Sequence, residues 1–257
     1  MIIPRAHILV AFSVLAIAGC SGPGPEVGMP GTGADGATTS TDQPANGAAF
    51  ATAADATKQE GPVNPFSDPS ATPTGGRQVI ANPTVADVMQ PGPLPEMSLG
   101  RADAPVTIVQ YASLTCPHCR HFHETTFPDL KREFIDTGKL RYILREFPIG
   151  KQSGNATIAL RCAKPEKYFD LYGKFMTQQA SWVSQEVRLD PIFAVAKQAG
   201  LTQSEWDQCL KNTTLIEALK AIKDRGRTLG IIGTPNFFVN GKLIKNELAI
   251  ADIRAIV

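Results

Sequence analysis

Two cysteines with two residues between them, Cys116 and Cys119, are the side chains of this sequence best suited to chemistry. They lie in the stretch TCPHCRHFH, which also holds three of the four histidines of the chain. Such a stretch could bind a metal ion, form a structural disulfide, or act as a reactive thiol pair that exchanges disulfides. The residues around the pair decide between these alternatives.

A metal site and a structural bridge both fit the stretch poorly. No second Cys-x-x-Cys pair follows Cys116 and Cys119, and helical spacing would scatter His118, His121 and His123 around the helix axis. A bridge between the two cysteines would close too small a loop to constrain the unfolded chain. We therefore expect no metal ion, and we interpret His121 and His123 as surface or packing residues.

Disulfide exchange needs one accessible, ionised sulfur and a second sulfur that can resolve the mixed disulfide. Cys116 should lie at the start of a helix, where free N–H groups and the helix dipole favour a thiolate. Cys119 falls one turn into that helix and should be more shielded, while His118 can add a hydrogen bond or a positive charge. Each effect stabilises the reduced form, so the disulfide form should be a strong oxidant.

The elements that should hold this pair are a strand, a helix and a second strand. Residues 106–111 form an apolar, β-branched run that predicts a buried strand leading into the cysteines. The helix should begin at Pro117 and break at Pro128, and residues 140–147 predict the second strand. This order favours a parallel strand pair with a right-handed crossover.

A helical region and a hairpin should follow. Helices are predicted over residues 155–162, 165–179, 190–200, 202–209 and 215–229, the fourth of which begins with a capping box of Thr202 and Glu205. Alternation then predicts a strand at 236–239, a turn at Asn240-Gly241 and a partner strand at 242–244. A final helix is predicted over residues 247–256.

The motif and the order of the elements together resemble the DsbA family of exported thiol oxidases, whose architecture is a thioredoxin fold with a helical insertion. The resemblance is carried by Cys116-Pro117-His118-Cys119, by Gly233-Thr234-Pro235 and by the lead-in from Gly100 to Val106. It covers residues 81–257 and implies an α/β domain in the order β-α-β, a helical insertion at about 150–230, then β-β-α. It also implies a protein disulfide oxidoreductase. No organic cofactor is expected, because no phosphate-binding glycine loop appears in the sequence.

The resemblance assigns a role to Thr234-Pro235. In the family this peptide bond is cis, the loop lies against the active disulfide, and the residue before the proline offers its backbone to an extended peptide. Threonine at this position is also seen in disulfide isomerases of the wider superfamily. An isomerase or reductase function therefore stays open beside the oxidase function.

Gln110 departs from the family pattern. Six residues before the reactive cysteine the family usually has a buried acid that accepts the proton of the second thiol, and glutamine cannot act as a base. Proton handling at Cys119 must then use water or another residue. Glu146 is a candidate for this role, with an ordinary surface charge as the alternative.

A second cysteine pair, Cys162 and Cys209, falls in the helical region. An even pair in an exported domain predicts a second disulfide, and some relatives in the family carry one there. We interpret it as a structural staple, with tuning of the active site or two unpaired buried thiols as the alternatives. Four large aromatic residues are predicted to pack in the core: Trp182, Trp206, Phe237 and Phe238.

The first part of the sequence predicts export. Residues 1–19 have a basic start at Arg5, a short apolar run and small residues before Cys20, as in a secretory signal too short to span a bilayer. Its end resembles the lipobox of bacterial lipoproteins, in which Cys20 would be lipid-modified; an ordinary cleavage site with a chance cysteine is the alternative. Residues 20–80 are rich in Gly, Pro and Ala and predict a disordered tether. We expect a location on the periplasmic side of the bacterial envelope, anchored to a membrane.

The composition limits the partners. A net charge of +1 argues against nucleic acid as the main partner. The expected partners are cysteine-containing exported proteins and, from the resemblance, a DsbB-like membrane protein that reoxidises the cysteine pair. A different class of function also stays open, in which the chain is a lipoprotein that binds peptides or metal and only shares the fold.

Overall fold

The computed structural model describes residues 79–245 and 247–257. The predicted signal at 1–19, the lipidation residue Cys20 and the predicted tether up to residue 78 lie outside this part. Ile80, the last residue of the predicted tether, donates its N–H to the carbonyl oxygen of Thr228 at 2.9 Å. Within the described ranges, the structure has no helix that is both long and apolar enough to cross a membrane.

A five-stranded mixed sheet forms the centre of the described domain. Its strands are β1 (Met97–Leu99), β2 (Val106–Ala112), β3 (Leu140–Glu146), β4 (Asn236–Val239) and β5 (Lys242–Lys245). Their spatial order is β1-β3-β2-β4-β5, with β2 and β3 parallel and the other neighbours antiparallel. The predicted parallel pair and the predicted hairpin are both confirmed, and β2 is the central strand.

Helices lie on the sheet and in a long insertion between β3 and β4. They are α1 (Val85–Met89), α2 (Pro117–Thr125), α3 (Phe127–Leu130), α4 (Gly150–Cys162), α5 (Tyr168–Thr177), α6 (Gln179–Trp182), α7 (Leu189–Ala196), α8 (Gln203–Cys209), α9 (Thr213–Thr228) and α10 (Ile250–Ile256). A π-helical turn continues α3 over Lys131–Ile135, and 3₁₀ turns at Pro165–Lys167 and Lys197–Ala199 precede α5 and follow α7. The order β2-α2-β3, insertion, β4-β5-α10 confirms the predicted α/β architecture.

Local sequence signals explain where several helices begin and end. Pro117 occupies the first position of α2, which ends at Thr125, and Pro128 lies in the first turn of α3. Pro128 therefore breaks the helix as predicted, because proline fits only a first turn. At α8 the N–H of Glu205 donates to Thr202 Oγ1 at 3.3 Å and the N–H of Thr202 donates to Glu205 Oε2 at 2.8 Å. This is the capping box that the sequence predicted.

Some elements and boundaries differ from the prediction. The sequence did not predict β1 and α1, which have three and five residues, too few for a hydrophobic period to be recognised. The first insertion helix begins at Gly150 rather than at residue 155, and α10 begins at Ile250 rather than at 247. The helix predicted over 165–179 is divided among a 3₁₀ turn, α5 and α6.

The sheet buries apolar side chains on both faces. Phe237 packs on one face in a cluster with residues of α2, α4, α5 and α7, whereas Phe238 packs on the other face with Leu229 at the end of α9. These two neighbours separate because side chains alternate along a strand. Trp182 and Trp206 are also buried, so the predicted core positions of all four aromatic residues are confirmed.

Packing on the first face positions the cysteine pair. Phe122 of α2 is buried and lies against Phe237 of β4, with ring centroids 4.8 Å apart. Cys116 precedes the same helix as its N-cap residue and Cys119 lies in its first turn, shortly after the end of β2. The aromatic contact therefore holds the N-terminus of α2 against the sheet beside the loop that precedes β4.

Candidate active site

Cys116 is the N-cap residue of α2. Its backbone is extended, with φ −78° and ψ 121°, and the helix begins at the next residue, Pro117. The Cys116 side chain is partly exposed, whereas Cys119, one turn further on, is buried. Both cysteines are free thiols in this structure. The geometry thus gives one sulfur that a substrate can reach and one that it cannot.

The surroundings of Cys116 stabilise its thiolate. A hydrogen bond from the Cys119 side chain is the main cause that lowers the pKa of Cys116 from 9.0 to about 5. The Thr234 side chain and the backbone N–H groups of Cys119 and His118 lower it further, while partial burial opposes them. These N–H groups belong to the first turn of the helix, where they have no carbonyl partner within the helix. Cys116 is therefore ionised at neutral pH.

The pKa of Cys119 is shifted in the opposite direction. Burial raises the pKa of the Cys119 thiol well above its usual value, and the hydrogen bond and the charge of nearby Cys116 raise it further. Two thiols that share one negative charge cannot both ionise easily at such short range. At neutral pH the pair therefore consists of a Cys116 thiolate and a Cys119 thiol, which is the division of roles that the sequence predicted.

The loop before β4 contacts the reactive sulfur. The Thr234–Pro235 peptide bond is cis, and the Cys116 thiol donates a hydrogen bond to the Thr234 carbonyl oxygen at 3.2 Å. The Asn236 side chain donates to the carbonyl oxygen of Gly233 at 2.6 Å and so ties the loop to the strand that follows. The buried Thr234 hydroxyl has no hydrogen-bond partner among the described residues when Cys116 is a thiol. It is free to donate to the Cys116 thiolate when that forms.

His118 contributes less directly to stabilising the Cys116 thiolate than its position in the motif suggests. Its backbone N–H supports the Cys116 sulfur, but its ring is exposed and lies near an acidic side chain, with Nδ1 3.5 Å from Glu247 Oε1. His118, Thr234, Pro235 and Glu247 line an open pocket of about 320 Å³. Glu247 was not predicted as a site residue, because nothing in the sequence connects the segment before α10 with the first turn of α2.

Gln110 lies on β2 and is fully buried. Its Oε1 accepts a short hydrogen bond from the hydroxyl of Tyr142, while its Nε2 has no partner among the described residues. The position of the expected acid is thus occupied by a neutral group in a hydrogen bond with a tyrosine. The sequence shows the departure at Gln110 but gives no sign of its partner on β3.

Glu146 is not a surface charge, so that alternative interpretation is wrong. It is buried at the end of β3, where it forms an ion pair with Arg161 of α4, with Arg161 Nη2 2.9 Å from Glu146 Oε2. The hydroxyl of Tyr168 donates to Glu146 Oε1 at 2.6 Å. None of these hydrogen bonds includes a cysteine, and a role of Glu146 in proton handling stays a prediction.

The remaining predicted residues are placed away from the reactive sulfur. His121 is exposed, while His123 is partly buried, stacks on Phe127 with ring centroids 5.3 Å apart, and has its pKa lowered by burial.

Cys162 and Cys209 form a disulfide that joins α4 to α8, with Cα atoms 6.2 Å apart. In the ranges that the structure describes, no group of three or more His, Cys, Asp or Glu side chains could hold a metal ion.

Comparison with known proteins indicates the same class of protein as the fold and the cysteine pair do. The family model described as Thioredoxin matches residues 94–257, and the chain belongs to this family. The structure of α-DsbA1 from Wolbachia pipientis resembles it with a TM-score of 0.61 and 29% identity, covering 67% of this chain and 94% of that one. The described domain thus has the fold and the paired cysteines of a DsbA-like thiol-disulfide oxidoreductase.

Two sequence relatives carry names of the same class. A Rickettsia bellii protein named as a protein-disulfide oxidoreductase is 36% identical over 153 residues, which are 59% of this chain and 59% of that protein. A Bacillus anthracis protein named as disulfide bond formation protein D is 30% identical over 156 residues, which are 58% of this chain and 71% of that protein. The chain therefore spans less than two thirds of the Rickettsia protein and more than two thirds of the Bacillus protein.

Proposed function

We propose that this protein is an exported, disulfide-donating oxidase that introduces disulfides into cysteine-containing envelope or secreted proteins. The observation that carries the proposal is the opposite ionisation of the two sulfurs. The pKa of Cys116 is lowered to about 5, whereas burial raises that of Cys119. A stabilised thiolate favours the reduced pair, which makes the disulfide form a strong electron acceptor. The names of the relatives support the same class of activity.

The reaction consists of two exchanges. A substrate thiolate attacks Cys116 Sγ of the oxidised pair, so that a bond forms between substrate and Cys116 while Cys119 leaves as a thiolate and takes up a proton. A second substrate thiolate then attacks the substrate sulfur of this mixed disulfide, which completes the substrate disulfide and releases the Cys116 thiolate. The protein is left reduced by two electrons. A quinone-linked membrane protein of the DsbB type is the proposed acceptor of those electrons.

The geometry of the site supports this order of attack. Cys116 is the accessible sulfur and its thiolate is the more stable, so it is the better target and also the better leaving group in the second exchange. The carbonyl oxygen of Thr234, 3.2 Å from Cys116 Sγ, belongs to the cis-proline loop before β4, whose backbone a substrate peptide can pair with. A buried Cys119 can attack only within the molecule.

Trapping of mixed disulfides tests the activity. In the Cys119→Ser variant, the Cys116 thiolate can still attack substrate disulfides, but no Cys119 thiol remains to attack the mixed disulfide and release the substrate. Mixed disulfides with cysteine-containing envelope proteins should therefore accumulate, and mass spectrometry can identify the partners. The Cys116→Ser/Cys119→Ser variant is the matched control and should form none. If Cys119→Ser also traps no partner, the alternative of a peptide- or metal-binding lipoprotein without enzymatic activity gains support.

The redox state in cells separates oxidase from isomerase. Alkylation of Cys116 and Cys119 after acid quenching should show mostly disulfide if the protein donates disulfides. A mostly dithiol protein would instead support an isomerase or reductase, which another protein must keep reduced.

The location is also part of the proposal, and it is supported by the sequence of residues 1–20. Lipid attached to Cys20 would hold the chain at the periplasmic face of a membrane. In cell fractionation, Cys20→Ala should move the protein from the membrane fraction to the soluble envelope fraction. A variant that stays in the membrane fraction would contradict lipid anchoring at Cys20.

A further inference from the structure

The pocket beside the reactive cysteine has one acidic wall. Its four lining residues come from three separate segments: His118 from the first turn of α2, Thr234 and Pro235 from the loop before β4, and Glu247 from the segment before α10. The Glu247 side chain is 64% exposed, and no lysine or arginine is among the described residues that line the pocket. The carboxylate is therefore available to a group that enters from solvent.

A substrate bound at Cys116 lies next to this pocket. The attacking sulfur has to approach Cys116 Sγ, which contacts the carbonyl oxygen of Thr234, and Thr234 is itself part of the pocket wall. Residues of an extended chain are only about 3.3 Å apart, so the neighbours of the attacking cysteine also lie at this wall. The pocket thus contacts the side chain next to the substrate cysteine.

The charge of the pocket indicates which side chain fits. The side chain that the structure places within ion-pair distance of Glu247 is His118, with Nδ1 3.5 Å from Oε1, and that imidazole is 67% exposed. A lysine or arginine of the substrate can reach Glu247 from the open side, whereas a substrate carboxylate there would be repelled.

We propose that Glu247 is a specificity-determining residue, which binds a basic side chain next to the reactive cysteine of the substrate. The inference rests on the proposed function, because it concerns the substrate of the same cysteine pair. The carboxylate acts on the affinity of the encounter complex, and the exchange chemistry remains that of Cys116 and Cys119. Exposed ion pairs are weak, so the preference should be about two- to fivefold and should decline as salt is added.

Peptide oxidation by the oxidised protein tests the subsite. Three peptides, each with two cysteines flanked by Lys, Gln or Glu and otherwise identical, are mixed with the protein, and the rate of peptide disulfide formation is measured. A flanking lysine also changes the reactivity of the peptide thiol, so the informative quantity is the Lys-to-Gln rate ratio compared between protein variants. In Glu247→Gln this ratio should fall about two- to fivefold at low salt.

A matched control removes an equivalent charge elsewhere. Glu217 of α9 is 67% exposed and paired with Lys220, and Glu217→Gln should leave the Lys-to-Gln ratio unchanged. An unchanged ratio in Glu247→Gln would overturn the subsite. The subsite would also be contradicted if Glu247→Gln changed the rates of all three peptides equally and shifted the Cys116 titration midpoint. Glu247 would then affect the reactivity of Cys116 and not the binding of the peptide's basic side chain. A protein that oxidises none of the peptides contradicts the proposed function as well.

Discussion

At the scale of single residues, Cys116 and Cys119 differ because one precedes the helix and the other lies inside it. At the N-cap position, Cys116 accepts from the Cys119 thiol, which is the main cause of its lowered pKa, and from N–H groups without helical partners, whereas the place one turn later buries Cys119 under the same helix. Identical side chains three residues apart therefore acquire opposite pKa shifts. The functional division of the pair follows from helix geometry more than from the two residues between them.

The first prediction concerns the titration of Cys116. In the reduced protein, the thiolate absorbance should appear with a midpoint near pH 5, and alkylation of Cys116 should slow as pH falls through that value. Because the hydrogen bond from Cys119 is the main cause of the lowered pKa, Cys119→Ala should raise the midpoint more than Cys119→Ser, which keeps a donor. A midpoint near the ordinary thiol value of about 8.5 in the reduced protein would contradict this account.

The lowered pKa of Cys116 has a consequence for stability. The folded pKa of Cys116 lies below the unfolded value, so the reduced form gains stability that is fully present above the unfolded pKa of about 8.5. This gain decreases as pH falls towards about 5 and is lost below that value. The disulfide form has no thiol at this position to titrate, so its stability should lack this dependence.

Gln110 provides the second prediction. Gln110→Glu would place a carboxyl group in a fully buried site where only the hydroxyl of Tyr142 donates to it among the described residues. Burial should raise the pKa of this carboxyl above its unfolded value of about 4.3. The variant should therefore be closest to wild-type stability below about pH 4.3 and become less stable as pH rises through the raised pKa. The loss should be about 1.4 kcal/mol for every pH unit that separates the folded pKa from the unfolded pKa.

Urea unfolding of wild type and variant between about pH 4 and 8 measures this loss, since that range extends from the unfolded carboxyl pKa to well above it. Gln110→Leu is the control, because it changes the same buried position but introduces no titrating group, so its stability difference from wild type should not depend on pH. Parallel stability curves for wild type and Gln110→Glu would mean that the site is more polar than its burial indicates.

At the scale of elements, an ion pair attaches the helical insertion to the sheet. Glu146 at the end of β3 binds Arg161 of α4 and accepts from Tyr168 of α5, and the charged side chains are only 4% and 7% exposed. A buried charge that loses its partner destabilises a protein by about 3–5 kcal/mol, whereas removing both charges costs much less. This contact therefore joins β3 to two helices of the insertion, α4 and α5.

The third prediction tests that ion pair. Arg161→Leu should lower the free energy of unfolding by about 3–5 kcal/mol, because Glu146 is left buried and unpaired. Glu146→Gln/Arg161→Leu should recover a large part of the loss in urea unfolding. A loss below about 1 kcal/mol in Arg161→Leu, the range of an exposed pair, would show that water reaches Glu146 when arginine is absent.

The sequence predicts those elements that are specified by residues close together in the chain. The strand before Cys116, the helix break at Pro128 and the Asn240-Gly241 turn are specified by neighbouring residues, and all three are confirmed. Contacts between distant segments are not specified in this way. The partner of Glu146 and the position of Glu247 beside His118 depend on how the insertion and the last segment pack, and no residue near them in the sequence indicates either contact.

At the scale of the whole molecule, the site is assembled from the two halves of the fold. Cys116 and Thr234 are in contact although they are 118 positions apart, because the central strand β2 pairs with β4 and places the ends of both beside each other. The insertion between them carries its own disulfide, whose cysteines are 47 positions apart in sequence, and does not interrupt this pairing. The prediction that this disulfide is a structural staple can therefore be tested in variants that keep both reactive cysteines.

The last prediction concerns that second disulfide. Cys162→Ala/Cys209→Ala removes a cross-link between α4 and α8 that restricts the unfolded chain, and loops of this length correspond to about 2–4 kcal/mol of stability. Urea unfolding should show this loss, while the Cys116 titration midpoint should stay where it is in wild type. Cys116→Ala/Cys119→Ala is the control that keeps the staple and removes the reactive pair. If the variant without this disulfide kept its stability but showed a shifted midpoint, the second disulfide would tune the active site instead. The insertion does reach the site, since the Gln179 side chain of α6 donates to the carbonyl oxygen of Cys116 at 3.1 Å.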